Sequence, residues 1–152
     1  MESLSTRNTL GHRMNVKAVN EMLHSLGCRD RIGNLTLADN GCAGLSLSDG
    51  TSVYFEWSEP QQTLHVYTPL SDRRSVASNG PTSQELYRAL LSLNCLAEGP
   101  LISMHPQHEH IYLQMRFPVS GLDVEALDTG INDLMARRNS LHYHLTRQGF
   151  AL

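Results

Sequence analysis

Residues 82–148 read TSQELYRALLSLNCLAEGPLISMHPQHEHIYLQMRFPVSGLDVEALDTGINDLMARRNSLHYHLTRQ, and their pattern decides the fold. The first part is a leucine-rich helix opened by Thr82 and Glu85, spaced as a capping box. Leu86, Leu90, Leu93 and Ala97 recur on one side, and Tyr87, Leu91 and Leu96 widen the apolar surface. Asn94 interrupts this run near the helix end, where a polar side chain can satisfy free backbone groups. After Glu98-Gly99-Pro100 a hairpin is expected, Leu101–Met104 pairing with Ile111–Phe117. In its second strand Ile111, Leu113, Met115 and Phe117 alternate with Tyr112, Gln114 and Arg116. A last helix opens near Ser120 or Asp123, with Val124, Leu127, Ile131, Leu134, Met135, Leu141 and Leu145 apolar and Gly149 as its stop. Acids in its first turns and Arg147 in its last match the helix dipole.

The N-terminal half adds a helix and a meander. Residues 1–14 are polar and form an expected flexible tail, leaving 15–149 as a single domain. From Asn15, Val16, Val19, Met22, Leu23 and Leu26 follow helical spacing, and Gly27 is the expected C-cap. Leu35 and Leu37 alternate as a strand up to the Asp39-Asn40-Gly41 turn. Ala43, Leu45 and Leu47 share one face of the next strand, and Asp49-Gly50 turns the chain again. Val53, Phe55 and Trp57 alternate with Tyr54 and Glu56, and Thr63–Thr68 makes a fourth strand stopped by Pro69. The expected architecture is α+β, a twisted antiparallel sheet of about five to six strands covered by three helices.

At 152 residues the chain is long enough for a real core, and its 40% hydrophobic content suits a globular fold. A net charge of −3 with scattered arginines gives no basic stripe for nucleic acid. No apolar window approaches the roughly 18 residues of a membrane span, and the first residues lack a secretory h-region. Cys28, Cys42 and Cys95 are odd in number and form no CxxC pair, which fits a reducing cytosol.

Chemistry-bearing constellations are sparse. His105, His108 and His110, around the hairpin tip, could approach a metal as imidazole ligands, which frames an alternative reading as a metal-binding enzyme or sensor. A polar hairpin tip explains the same residues more simply. There is no GxSxG elbow, no P-loop and no GxGxxG, so the reading assigns no catalytic residue, metal or cofactor. The apolar surfaces carry more information. The second helix offers the widest one, suited to self-association, and the first helix and early strands suit an extended partner segment received by strand addition.

The order helix, strands, helix, hairpin, helix, with Leu91-Ser92-Leu93-Asn94, then Gly99, the strand pair and Gly121-Leu122-Asp123, resembles the class I type III secretion chaperones (the CesT/SycE-type, or Tir chaperone, family). The resemblance covers about residues 15–148. It implies a non-catalytic homodimer of the bacterial cytoplasm. Such a protein binds the N-terminal segment of one or more secreted effectors, keeps it non-globular and delivers it to the secretion ATPase. Carried onto this chain, Leu86, Tyr87, Leu90, Leu93, Ile111 and Leu113 belong to the dimer interface. Val19, Leu23, Leu26, Leu35, Leu37, Leu45, Leu47, Val53 and Phe55 supply the effector-contacting patches. A regulatory protein that sequesters its partner through these same surfaces is the other alternative. The chain is less acidic than many members, and Tyr143 stands where many carry tryptophan.

Overall fold

A computed structural model describes residues 13–29, 33–71, 83–95, 98–107 and 110–150. The elements run α1 (Val16–Arg29), β1 (Cys42–Ser46), β2 (Ser52–Ser58), β3 (Thr63–Ser71), α2 (Ser83–Cys95), β4 (Leu101–Met104), β5 (Ile111–Pro118) and α3 (Val124–Arg147), with a 3-10 turn at Val119–Gly121 before the last. The five strands form one antiparallel sheet in the order β1-β2-β3-β5-β4. The α+β expectation holds, with five strands.

Alternation assigns the two faces of the sheet. Leu45, Val53, Phe55, Trp57, Leu64, Val66, Leu70, Ile111 and Leu113 are buried on the inner face. Thr68 is buried among them, its hydroxyl donating to the Ser52 carbonyl at 2.7 Å. Helices α1 and α3 complete this core with Val19, Leu23, Leu26, Leu127, Leu134, Leu141 and Leu145. The outer face carries Tyr54, Glu56, His65, Tyr67, Tyr112, Gln114 and Arg116.

Local chemistry sets the helix ends. Asn15 caps α1, its Oδ1 accepting from the Ala18 N–H at 2.9 Å, and Asp123 caps α3 by accepting from the Ala126 N–H at 2.7 Å. At the far end of α3 the Phe150 N–H reaches the Leu145 carbonyl and the Gly149 N–H reaches Thr146, a Schellman closure with Gly149 at φ 90°. Gly130, inside α3, sits where a Cβ would come 2.3 Å from Phe117 Cζ. The missing side chain is what lets this helix lie down on β5.

Four local expectations change. Gly27 is no cap: α1 continues to Arg29, and Gly27 is needed because a Cβ there would lie 2.3 Å from the Gly33 carbonyl oxygen. Leu35 and Leu37 alternate inward as expected but join no ladder. The Leu37 N–H is taken by Asn20 Oδ1 on α1 at 2.7 Å, so a helix side chain replaces the neighbouring strand. Pro69 does not stop β3, which runs on to Ser71. Pairing with β2 has ended at Tyr67, so Pro69 lies where β3 has a single neighbour and a missing N–H is tolerated. Met14, at the end of the expected tail, is fixed by Gln62, which donates to its carbonyl at 3.0 Å and accepts from its N–H at 2.7 Å. Thr82, Leu96, Ala97, His108, Glu109 and residues 1–12 lie outside the described residues.

Gln62 itself has φ 49°, unusual for a residue with a side chain. It forms the β2–β3 corner, donating from its amide to the Glu59 carbonyl and accepting from the Val119 N–H on its own carbonyl at 3.0 Å.

Candidate interaction surfaces

Three surfaces remain once the core is closed: a groove between α2 and β4, the β1 edge, and the outer face of the sheet. The groove has a volume of about 250 Å³ and is lined by Tyr87, Leu90, Leu91, Ile102, Ser103, Met104 and Ile111. Two of these residues are unusually open for apolar side chains, Leu91 at 68% exposed and Met104 at 41%, and Leu101, on the other face of β4 opposite Gln114, is 47% exposed. Of the residues expected at a dimer interface, Leu86, Leu90, Ile111 and Leu113 are buried in this chain's own core, and Tyr87 and Leu93 are half-buried. Leu90 and Ile111 form the floor of the groove, while Leu86 and Leu113 belong to the core and do not line it. Leu91, Leu101 and Met104 were absent from that expectation. Only the breadth of the α2 apolar arc hinted at Leu91.

The expected cargo residues need a similar correction. Val19, Leu23, Leu26, Leu35, Leu37, Leu45, Val53 and Phe55 are all buried. They hold α1, the 33–38 segment and the strands together as part of this chain's own core. Only Leu47 keeps partial exposure. It follows β1, whose Gly44 and Ser46 are exposed on the free edge of the sheet.

On the outer face a cleft of about 460 Å³ is bordered by Glu56, His65, Tyr67, Met104, Tyr112 and Arg116, among others. The rings of Tyr54 and Tyr67 lie 5.5 Å apart, and Tyr112 meets Tyr67 edge-on at 5.3 Å. His65, half-buried beside Tyr67, pairs with Gln114. Burial pulls its pKa below the usual imidazole range and the Arg116 charge adds to this, while the Gln114 bond and Glu56 pull the other way. The ring is therefore neutral near pH 7. Burial likewise raises the Tyr67 and Tyr112 phenols, so the charged groups bordering the cleft are Glu56 and Arg116, set among neutral aromatic and hydrogen-bonding side chains.

For the histidine turn, the His105 N–H donates to the His110 carbonyl at 3.0 Å and closes the hairpin. Among the described residues no three His, Cys, Asp or Glu side chains gather as metal ligands, and His108 lies outside them. Cys28 has a neighbour that its sequence context did not reveal, since its Sγ lies 3.7 Å from His24 Nε2 on the exposed side of α1. None of the helices described is long and apolar enough to cross a membrane.

A profile of the Tir chaperone protein (CesT) family matches residues 17–142, nearly the whole described fold. The chain belongs to the CesT family. Solved structures agree at the level of fold. The ExsC–ExsE complex contains a chain that superposes with a TM-score of 0.70 at 15% identity, over 83% of this chain and 92% of that one. The HopA1–SchA chaperone–effector complex gives 0.65 at 14% identity, over 80% and 91%. The Yersinia pestis type III secretion chaperone SycH, in complex with a stable fragment of YscM2, gives 0.58 at 12% identity, over 80% and 98%. No curated protein matches the sequence significantly. With so few identities, what this CesT-family chain shares with these structures is its order of elements and their packing.

Proposed function

We propose that this chain is a type III secretion chaperone. In the bacterial cytoplasm, as a homodimer, it binds the N-terminal segment of one or more secreted effectors. It holds that segment non-globular and delivers it to the secretion ATPase, acting by binding and without catalysis. The observation that carries the reading is the family match across residues 17–142. The surfaces give it a physical form. The exposed Leu91 and Met104 of the α2–β4 groove are the part a second copy covers, with Tyr87 and Leu93 beside them. The β1 edge and Leu47 are where an extended effector segment adds to the sheet and seats a side chain.

The test is co-expression with the product of the neighbouring gene, followed by purification through a tag on that product's N-terminal segment. The expected result is a soluble complex of two copies of this chain with one segment. Within it the segment stays open to protease and the chaperone does not. A monomer that captures no effector segment overturns the proposal.

A further inference from the structure

Asn94 is a polar residue set into the leucine run of α2, and both ends of its amide are engaged by one residue. Nδ2 donates to the Ile102 carbonyl at 2.7 Å, and Oδ1 accepts from the Ile102 N–H at 2.7 Å. Ile102 lies on β4, the last strand at one side of the sheet. The direction of its backbone groups follows from the hairpin register. The His105 N–H bonds to the His110 carbonyl, so that pair exchanges hydrogen bonds. Along an antiparallel ladder bonded and non-bonded pairs alternate. Ser103 opposite Tyr112 is then the next bonded pair, and Ile102 opposite Leu113 is not. Ile102 therefore turns its N–H and C=O away from β5, toward the free edge. The Asn94 side chain, planar with one donor and one acceptor, supplies what a residue of an added strand would supply.

The opposite edge differs. The Trp57 N–H reaches the Gly41 carbonyl, and the Leu47 N–H reaches the Thr51 carbonyl. By the same alternation Ala43 and Leu45 face β2, whereas Cys42, Gly44 and Ser46 point outward. Cys42 is occupied: its N–H goes to Asn40 Oδ1 at 3.1 Å, and its carbonyl accepts from the Ala38 N–H at 2.8 Å. Among the described residues, the outward groups of Gly44 and Ser46 have no partner. One edge is plugged at Ile102, with Met104 its other outward residue, and the opposite edge is open at both Gly44 and Ser46. A protein that works by accepting extended chain must manage such edges, because an open edge pairs with any strand that reaches it.

We propose that Asn94 closes the β4 edge to strand addition and so confines incoming extended polypeptide to β1. Identifying that polypeptide with an effector segment rests on the function proposed above. The closure itself does not.

The test uses the full-length chain and a synthetic peptide of residues 111–118, IYLQMRFP, carrying a photo-crosslinker, a strand that β4 already accepts on its other side. In the unaltered protein adducts map to residues 42–46, and Ser46→Pro, which removes an outward N–H, abolishes them. Asn94→Ala produces adducts on residues 101–104 at no less than about ten times the unaltered yield, with β1 adducts unchanged. Asn94→Asp keeps the shape and still accepts from Ile102 but cannot donate to its carbonyl, and gives an intermediate yield. It also carries the test should Asn94→Ala fail to fold. If neither variant gains β4 adducts, Asn94 serves only to anchor α2 and the proposal is overturned. Equal labelling of both edges in the unaltered protein overturns it as well. Because the peptide comes from this chain, failure to bind any effector would remove the proposed function and leave this result standing.

Discussion

Helices α1 and α2 are alike in length and amphipathic character, 14 and 13 residues long with comparable apolar faces, yet they end in opposite situations. The α1 stripe, Val19, Leu23 and Leu26, is completely buried, because α3 and the 33–38 segment close over it. Among the described residues, helix α2 packs mainly against β4, at the margin of the sheet. Leu86 and Leu90 find cover there, but Leu91 does not, and the strand beneath it leaves Leu101 and Met104 uncovered. The lesson concerns neighbours more than hydrophobicity. An amphipathic helix inside the sheet's span is satisfied by its own chain, and the same kind of helix at the margin keeps apolar side chains open.

The largest effect should appear on the α1 side. Leu23→Ala leaves a cavity among Val19, Leu26 and the sheet, and is expected to lower unfolding stability by about 2–5 kcal/mol in urea titrations. Next comes α2. Leu91→Asp should leave the protomer's secondary structure intact but raise the dimer dissociation constant at least tenfold, about 1.4 kcal/mol, by analytical ultracentrifugation. A Leu91→Asp protein with unchanged association would erase the contrast between the two helices. The smallest effect tests the polar seam of the closed side, where Arg29 pairs with Glu125 and joins α1 to α3. With side chains 44% and 75% exposed, the pair is well screened, so Arg29→Ala should cost no more than about 1 kcal/mol, and less in high salt.

The sequence shows most of the scaffold because periodicity reports which side of an element is apolar. The meander, the hairpin around the histidines and the long last helix all follow from that signal. It fails where the deciding fact is a neighbour. Nothing in the hydropathy of Gly130 says that Phe117 must fit against it, nor in Gly27 that the carbonyl of Gly33 passes close by. Asn94 was legible as a residue able to satisfy backbone groups, but not as a plug for a strand edge, since its partner is known only once α2 and β4 are docked. The cargo surface suffered most. Leu23 and Leu47 look equally apolar in the sequence, and only packing separates a core leucine from one that keeps surface. The family resemblance named the kind of surface to expect without sorting these residues.

The corner at Gln62 carries a consequence for how the chain is born. Its side chain can moor Met14 as soon as residues 59–62 have left the ribosome, although that contact spans 48 positions. Its carbonyl must wait for the Val119 N–H, which is made only after α2 and the hairpin strands have been synthesised. The clasp therefore has an early half and a late half. Order of synthesis thus lets the Met14 half of the clasp close first, and its Val119 half only when the second half of the chain arrives.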